Sequence, residues 1–519
     1  MKNFKNYLVL VCTVFVFASC DQDIIDLTER DRLPTAQALA NLDGTRATLL
    51  QAYEFVRSSH ENQDISMYKQ CGTDLVAGGT NMNDVTGDAM PAMNSYNANL
   101  GPASSGVSSV YNNLDFALNR INVVLTFIDN FEPSNDAEET DKNQIKGEAL
   151  TLRAIVFLEQ VQRWDNVVLA LELPDEIVFD VNLSPREQVY AQIIKDCEEA
   201  IPLLQTRSQL PAPNVGVAAR GVAYHILSKA HMDMGNWAAA ATAAEGVIGD
   251  ASYSFAPLGD IFTITGGKEG NENNSELLLS WVFDPGVTNR AQRTSQMYVP
   301  LYDRVVGVLR LIENGGRAWS RLSPSPYYWS LFDEDDLRLQ AWHKTEWVFD
   351  DVDNLPEGVS EGDVVTVDDI GDVNPRYIEP TTTKFWEDGT YGRTIGEAEG
   401  YRNIIVYRLS EAYLIGAEAH WRAGNNGRAL ELMNAVRERA FGNSDHNFAS
   451  LDEDTILEEH ARELGHEGHR WAMLKRLGLL VERVGLYNPD AAGIEAKHVR
   501  WPIPQTFIDL TGVEQNPGY

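Results

Sequence analysis

Apolar residues recur at helical spacing through most of the chain and lose that period in two long stretches. Residues 36–57 place Leu39, Leu42, Leu49, Leu50 and Tyr53 on one face and predict a helix. The same reasoning predicts helices over 107–131, 144–164 and 187–204. Residues 215–248 read as helix, Gly235-Asn236 turn and helix, with alanines where two helices must approach closely. Residues 407–441 repeat that arrangement around Gly424-Asn425-Asn426. Both units are tetratricopeptide-like, so the expected fold is mostly α, a helical repeat scaffold. The period disappears over 63–105, which is rich in Gly, Asn, Met and Asp. It disappears again over 252–402, where residues 277–283 read as a strand. That region is expected to be loop-rich with minor β structure. A loop as long as 63–105 in a compact protein is usually functional.

Residues 454–478 combine two helical signals. Asp452 or Asp454 can cap the first helix. Ile456, Leu457, Ala461 and Leu464 form its apolar stripe, and Glu458 and Glu459 stand at the right spacing for an exposed ion pair with Arg462. Gly465 and Gly468 predict a break or a close backbone approach. Trp471, Leu474 and Leu477 resume the apolar face, Lys475 and Arg476 fall in the last turn, and Gly478 ends it. His466-Glu467-Gly468-His469 is a near miss for a zinc-protease motif, which needs its histidines four apart on one helix face. The spacing of three and the intervening glycine favour a structural role, with these side chains satisfying polar groups at a helix junction.

The start of the chain reads as a processing signal. Lys2 and Lys5 precede an apolar run, Tyr7 to Phe17, too short to span a bilayer. Ala18-Ser19-Cys20 then gives the bacterial lipoprotein pattern, with cleavage before Cys20 and lipidation of that cysteine. Asp21 and Asp23 follow in a polar tether. The chain is thus divided into a signal peptide at 1–19, a lipid anchor and tether at 20–33 and an N-terminal helical part at 34–251. A loop-rich part at 252–402 and a C-terminal helical part with its tail at 403–519 complete it. Cys71 and Cys197 are too few for a disulfide scaffold, and Cys197 lies on an amphipathic helix where packing explains it.

Of the 519 residues, 76 are Asp or Glu and 42 Lys or Arg, for a formal net charge of −34, which argues against nucleic acid as a partner. No G-x-S-x-G elbow or phosphate-binding loop is present, and Gly266-Gly267-Lys268-Glu269 lacks the glycine spacing and hydroxyl residue the latter needs. The acidic run 349–372 reads as a solvated loop or hairpin; Pro356 stands where a calcium-binding EF-hand loop would need glycine. No catalytic constellation, metal site or cofactor motif emerges. The aromatics of 252–402 are more telling, since aromatic faces suit the C–H faces of sugar rings. Core packing explains most of them, including the helical run 327–332. Trp319 differs, because it sits in Gly315-Gly316-Arg317-Ala318-Trp319-Ser320, a flexible and polar setting. It is the leading candidate for a ligand platform.

These residues resemble the SusD/RagB family of outer-membrane nutrient-binding lipoproteins. Arg462-Glu463-Leu464, Glu467-Gly468-His469-Arg470-Trp471 and Leu474-Lys475-Arg476 match its C-terminal signature. Trp501-Pro502-Ile503-Pro504 and Gln515-Asn516-Pro517-Gly518-Tyr519 match its tail. Gly465-His466 and Met473 depart from the signature at positions that concern packing. The resemblance covers nearly the whole chain. It implies a SusD-like fold and a surface-exposed outer-membrane lipoprotein without enzymatic activity. Such a protein captures a glycan and hands it to a SusC-like TonB-dependent transporter barrel. It also implies a shallow ligand face built from 63–105 and 298–320, giving as candidates Asp74, Asn81, Asn83, Tyr96, Tyr298, Arg317 and Trp319. Two alternatives stand beside this reading: the same scaffold capturing peptides, as RagB-like members do, and a surface glycoside hydrolase.

Overall fold

The computed structural model describes residues 39, 41–61, 67–84, 89–173, 180–286 and 291–519. The signal, Cys20 and the tether lie outside the described residues. The fold is mostly α with short strands, as expected. Helices α1 (Leu42–Glu61), α2 (Ser105–Asp129), α3 (Asp136–Trp164), α4 (Arg186–Ala200), α5 (Arg220–Asp233) and α6 (Trp237–Ile248) pack successively, each on the next. α7 (Leu409–Arg422) then packs on α6, and α8 (Asn426–Phe441) on α7. The helical array therefore runs straight from α6 to α7, and everything between them in sequence is an insertion on its side.

The two tetratricopeptide-like units close in the same way. Gly235 and Gly424 turn each pair with φ of 72° and 82°, a left-handed conformation that costs glycine little. The next asparagine reaches back in both: Asn236 N–H donates to His231 O at 2.9 Å, and Asn425 N–H to His420 O at 2.8 Å. Small residues set the helix spacing. A Cβ on Gly416 of α7 would sit 3.0 Å from Leu432 and 3.4 Å from Ile248, so α6, α7 and α8 meet there without room for a side chain. α3 starts at Asp136 rather than Gln144, because Asn135 caps it with two side-chain bonds of 3.0 Å and acids fill the first turn. Its first two turns face solvent and carry no apolar stripe, which hid them from a periodicity argument.

The signature folds as α9 (Glu453–Leu464) and α10 (Arg470–Arg476), followed by α11 (Leu480–Tyr487). Asp452 caps α9 through Thr455 N–H at 2.8 Å. Both glycine readings hold: the helix breaks at Gly465, and a Cβ there would overlap the Tyr328 ring, while one on Gly468 would press on Lys69. The exposed ion pair is corrected. Arg462 pairs with both, Glu458 at 3.6 Å and Glu459 at 3.0 Å, but Arg462 and Glu459 are buried and only Glu458 faces solvent. The reason is a second layer that covers this face of α9. Arg338 reaches Glu459 at 2.8 Å and Glu463 at 3.1 Å, and Arg437 reaches Glu459 at 2.6 Å. Arg408 reaches Glu463 at 2.6 Å and Glu467 at 2.7 Å. Burial alone would raise the Glu459 carboxyl, but Arg338, Arg462 and Arg437 outweigh it and hold it down at about 2. His469 contacts Glu411 at 3.1 Å and His466 contacts Leu75 O at 3.3 Å, so both are used within the fold.

Three small antiparallel sheets tie the insertion down. β2 (Leu277–Trp281) pairs with β4 (Ile404–Arg408), bringing its two ends together beside α7. β1 (Val76–Gly78) pairs with β3 (Leu322–Pro324) in the register Val76↔Pro324, Ala77↔Ser323 and Gly78↔Leu322. His343–Lys344 pairs with Thr381–Thr382. Apart from the main core, Val299, Leu301, Tyr302, Trp347, Phe349 and Val365 form a small core of their own beneath residues 298–320. Cys71 and Cys197 are buried free thiols.

Candidate functional site

Where the two aperiodic stretches meet, backbone hydrogen bonds fix their relative position. The β1–β3 pair is continued outward. Gly79 N–H donates to Arg321 O, and Asn81 N–H to Ser320 O, both at 2.9 Å. Thr80 adds its amide and its hydroxyl to the Ser320 hydroxyl at 3.0 and 2.9 Å. Gly79 is glycine for a physical reason: a Cβ there would land on the Ser320 carbonyl oxygen. Ser320 itself adopts φ of 48°, a strained choice for a non-glycine residue that its hydrogen bonds to Thr80, Asn81 and Val299 enforce. Residues 79–83 and 315–321 thus form one surface although about half the chain separates them.

Trp319 and Arg317 lie on this surface, both half-buried, with Asn81 half-buried and Asn83 exposed beside them. The Arg321 guanidinium covers one face of Trp319 at 4.8 Å from the ring centroid and donates to Asn81 O. It fixes the tryptophan at the junction of the two loops. Below, Tyr302 donates from its hydroxyl to Gly316 O at 2.7 Å and stacks on Trp347 with centroids 4.6 Å apart. The Gly315–Gly316 turn is held from inside by these two rings.

Three of the sequence candidates lie elsewhere. Asp74 is fully buried in a bidentate pair with Arg470, at 2.9 and 2.7 Å, and a contact to Arg483 at 3.1 Å. Burial would raise its carboxyl, yet the two arginines hold it below the usual range. Tyr96 is buried, donating to Gly72 O at 2.5 Å and accepting from Trp471 Nε1 at 3.1 Å. Tyr298 is buried, donating to Gln70 at 2.6 Å and stacking on Phe385. These side chains present no surface to a ligand in this structure and serve to hold the loops. Their polar groups had the right chemistry, but the interior needed them first.

The structure adds residues that no motif marked. Arg376 donates to Gly78 O at 2.7 Å, and Asp490 accepts the Gly78 amide at 2.5 Å, so both flank the base of the 79–83 loop. Trp386 is half-buried, and a Cβ on Gly315 would lie 3.0 Å from its ring. Asp490 follows Tyr487-Asn488-Pro489, an ordinary turn sequence, and only the three-dimensional return of the chain brings it here. Nothing in this arrangement resembles a nucleophile with its base. Among the described residues no group of three or more His, Cys, Asp or Glu side chains is placed to hold a metal ion.

Comparisons with known proteins agree with this architecture. The family model described as the SusD family matches residues 328–519, and the one described as starch-binding, associating with the outer membrane, matches residues 56–230. A SusD-like protein of Formosa agariphila is 22% identical over 98% of this chain and 97% of its own length. The starch-binding protein SusD of Bacteroides thetaiotaomicron is 32% identical over 22% of each chain. A laminarin-binding SusD-like protein of known structure superposes with a TM-score of 0.72 at 23% identity, covering 92% of this chain and 99% of its own. With the two family models together taking in more than half of its length, the chain belongs to the SusD/RagB family.

Proposed function

We propose that this protein captures a glycan at the bacterial cell surface on the face formed by residues 79–83 and 315–321. It then presents that glycan to a SusC-like TonB-dependent transporter in the outer membrane, to which Cys20 anchors it. The observation that carries the reading is Trp319. It is a half-buried tryptophan fixed by Arg321 at the meeting point of two loops, with Asn81 held beside it by the same arginine. An aromatic face with neighbouring amides is how a protein surface holds a sugar ring. The names of similar proteins, one starch-binding and one laminarin-binding, support the same ligand class. The role is binding without turnover: the face is joined by hydrogen bonds, and its carboxylate, Asp490, is engaged by the Gly78 amide and the Asn94 side chain.

A glycan array probed with the full-length protein in detergent tests the reading. Retention on one or more polysaccharides without release of products supports it. Retention on peptides alone would favour the RagB-like alternative, and product release would identify an enzyme. Co-purification of a TonB-dependent barrel with the intact protein from outer membranes tests the partner.

A further inference from the structure

Among the described residues, the floor of this surface holds donors that are only partly satisfied. Arg393 is 5% exposed and lies under the two-glycine turn, its Nη1 3.5 Å from where a Cβ on Gly316 would be. Its only hydrogen bonds are long ones to carbonyls, 3.4 Å to Glu387 O and 3.3 Å to Glu397 O, and its Nε has no partner. The nearby carboxylates are occupied by backbone amides. Glu387 accepts from Tyr401 and Arg402 at 3.0 and 3.1 Å, and Glu397 accepts from Thr394 at 2.5 Å. No carboxylate among the described residues forms a direct ion pair with Arg393; Glu387 and Glu397 favour its charge only from a distance, against the cost of its burial. Trp386, whose ring lies against Gly315, has a buried Nε1 that also lacks a partner. Above them Arg317 makes no hydrogen bond and no ion pair among the described residues.

The chain has 76 acidic residues against 42 basic ones, yet neither guanidinium at this turn has an ion-pair partner among the described residues. Buried polar groups are ordinarily satisfied, and a buried charge without a counter-ion is unfavourable unless something supplies one. Two guanidiniums and an indole N–H at a single turn, next to the aromatic platform, call for an acceptor-rich and negatively charged group.

Resting on the glycan reading above, we propose that the Gly315–Arg317 turn is an anion subsite. In this reading the protein's ligand is an acidic glycan whose carboxylate or sulfate ester meets Arg317 while a neighbouring sugar ring lies on Trp319. Arg317 makes the direct contact. Arg393 and Trp386 set the positive field and donor character of the turn from below. The overall negative charge of the protein repels polyanions in general, which confines their binding to this turn and makes the preference local.

The test is affinity electrophoresis of the full-length protein in gels containing dextran, dextran sulfate, fully methyl-esterified pectin or polygalacturonate. The matched pairs separate sulfate from carboxylate and charge from backbone. Charged forms are expected to retard the protein more than their neutral partners. Arg317→Gln is expected to weaken retardation by the charged form about tenfold, the scale of one charge-assisted hydrogen bond, and to weaken neutral binding by much less, so that the preference for the charged form falls. Arg393→Gln provides a second variant acting from beneath the turn, with thermal unfolding as its folding control. Equal retardation by charged and neutral forms, or an unaltered preference in Arg317→Gln, overturns the anion subsite and leaves glycan capture intact. Binding to no polysaccharide in these gels or on the array overturns both.

Discussion

The guanidinium of Arg321 lies 4.8 Å from the centre of the Trp319 ring, and the same side chain donates to the carbonyl of Asn81. One arginine thus orients the aromatic platform and locks the other loop against it. Trp319→Ala is therefore expected to weaken glycan retention about tenfold, since a stacked ring loses most of its contact area. Because Trp319 is only half-buried, the melting temperature should fall by no more than a few degrees. Retention and a thermal melt of the same preparation distinguish the outcomes. A collapse in stability would make Trp319 a core residue and move the site elsewhere.

Gly79 is the tightest point of the loop junction. Gly79→Ala must push the backbone away from the Ser320 carbonyl, breaking the bonds from Asn81 and Thr80. The expected destabilisation is about 1–3 kcal/mol by urea titration, the usual range for overpacking a close backbone contact. Glycan retention should fall along with it. Normal binding in Gly79→Ala would show that the junction does not shape the site.

The buried ionic network around α9 should be far more sensitive. Arg338 is fully buried between Asp336, Glu459 and Glu463. Arg338→Met leaves three carboxylates short of a counter-charge and is expected to destabilise by about 3–5 kcal/mol. Urea unfolding monitored by tryptophan fluorescence measures it. A change below about 1 kcal/mol would mean that Arg437, Arg408 and Arg439, which also pairs with Glu463, already neutralise the cluster.

Acid should unfold the protein through its buried histidines first. Burial, with Lys384 and Arg338 nearby, lowers His343 to about 3, and burial with Arg470 lowers His460 to about 3. Depressed folded values mean that this stability is present above the ordinary histidine range near 6.5 and is lost as pH falls from there toward 3. Glu459, held at about 2, adds a loss that starts near 4.5. Asp115 acts in the opposite sense. Burial raises it to about 7, so it favours the native state as pH falls from 7 toward 4. Each depressed histidine contributes a loss on the order of 1.4 kcal/mol per pH unit between about 6 and 4.5, and burial depresses His466 and His469 in the same sense. His460→Gln should flatten the upper slope by about the same amount. A slope unaltered by that substitution would mean that His460 does not carry the effect.

Much of the scaffold was legible in sequence because helices that pack on one face carry a period. The glycine-asparagine turns, the alanine-rich contacts and the break at Gly465 were all readable for that reason. What was not readable depended on partners brought from a distance. Glu459 reads as a surface residue until Arg338 and Arg437 are placed over it. Asp74, Tyr96 and Tyr298 have the side chains of a ligand site, but they are buried under strands and helices whose return to that point no local pattern encodes. The candidate site shows the same division. Trp319 and Arg317 stood out through their neighbours in sequence, while Arg376, Trp386, Arg393 and Asp490 belong to it only through the fold.

The position of Asp74 has a mechanical meaning. It stands two residues before β1, and its carboxylate is gripped by Arg470 of α10 and Arg483 of α11. A long polymer tugging on the 79–83 loop pulls along β1 and meets resistance at once, in charged bonds to two helices of the C-terminal part. On the other strand the pull passes through Ser325, whose hydroxyl holds the Asp74 carbonyl at 2.7 Å. Both lines of force end at one residue. With the Arg376 and Asp490 contacts at Gly78, this post moors the candidate face to the C-terminal helices, so that load taken there passes straight into the helical body.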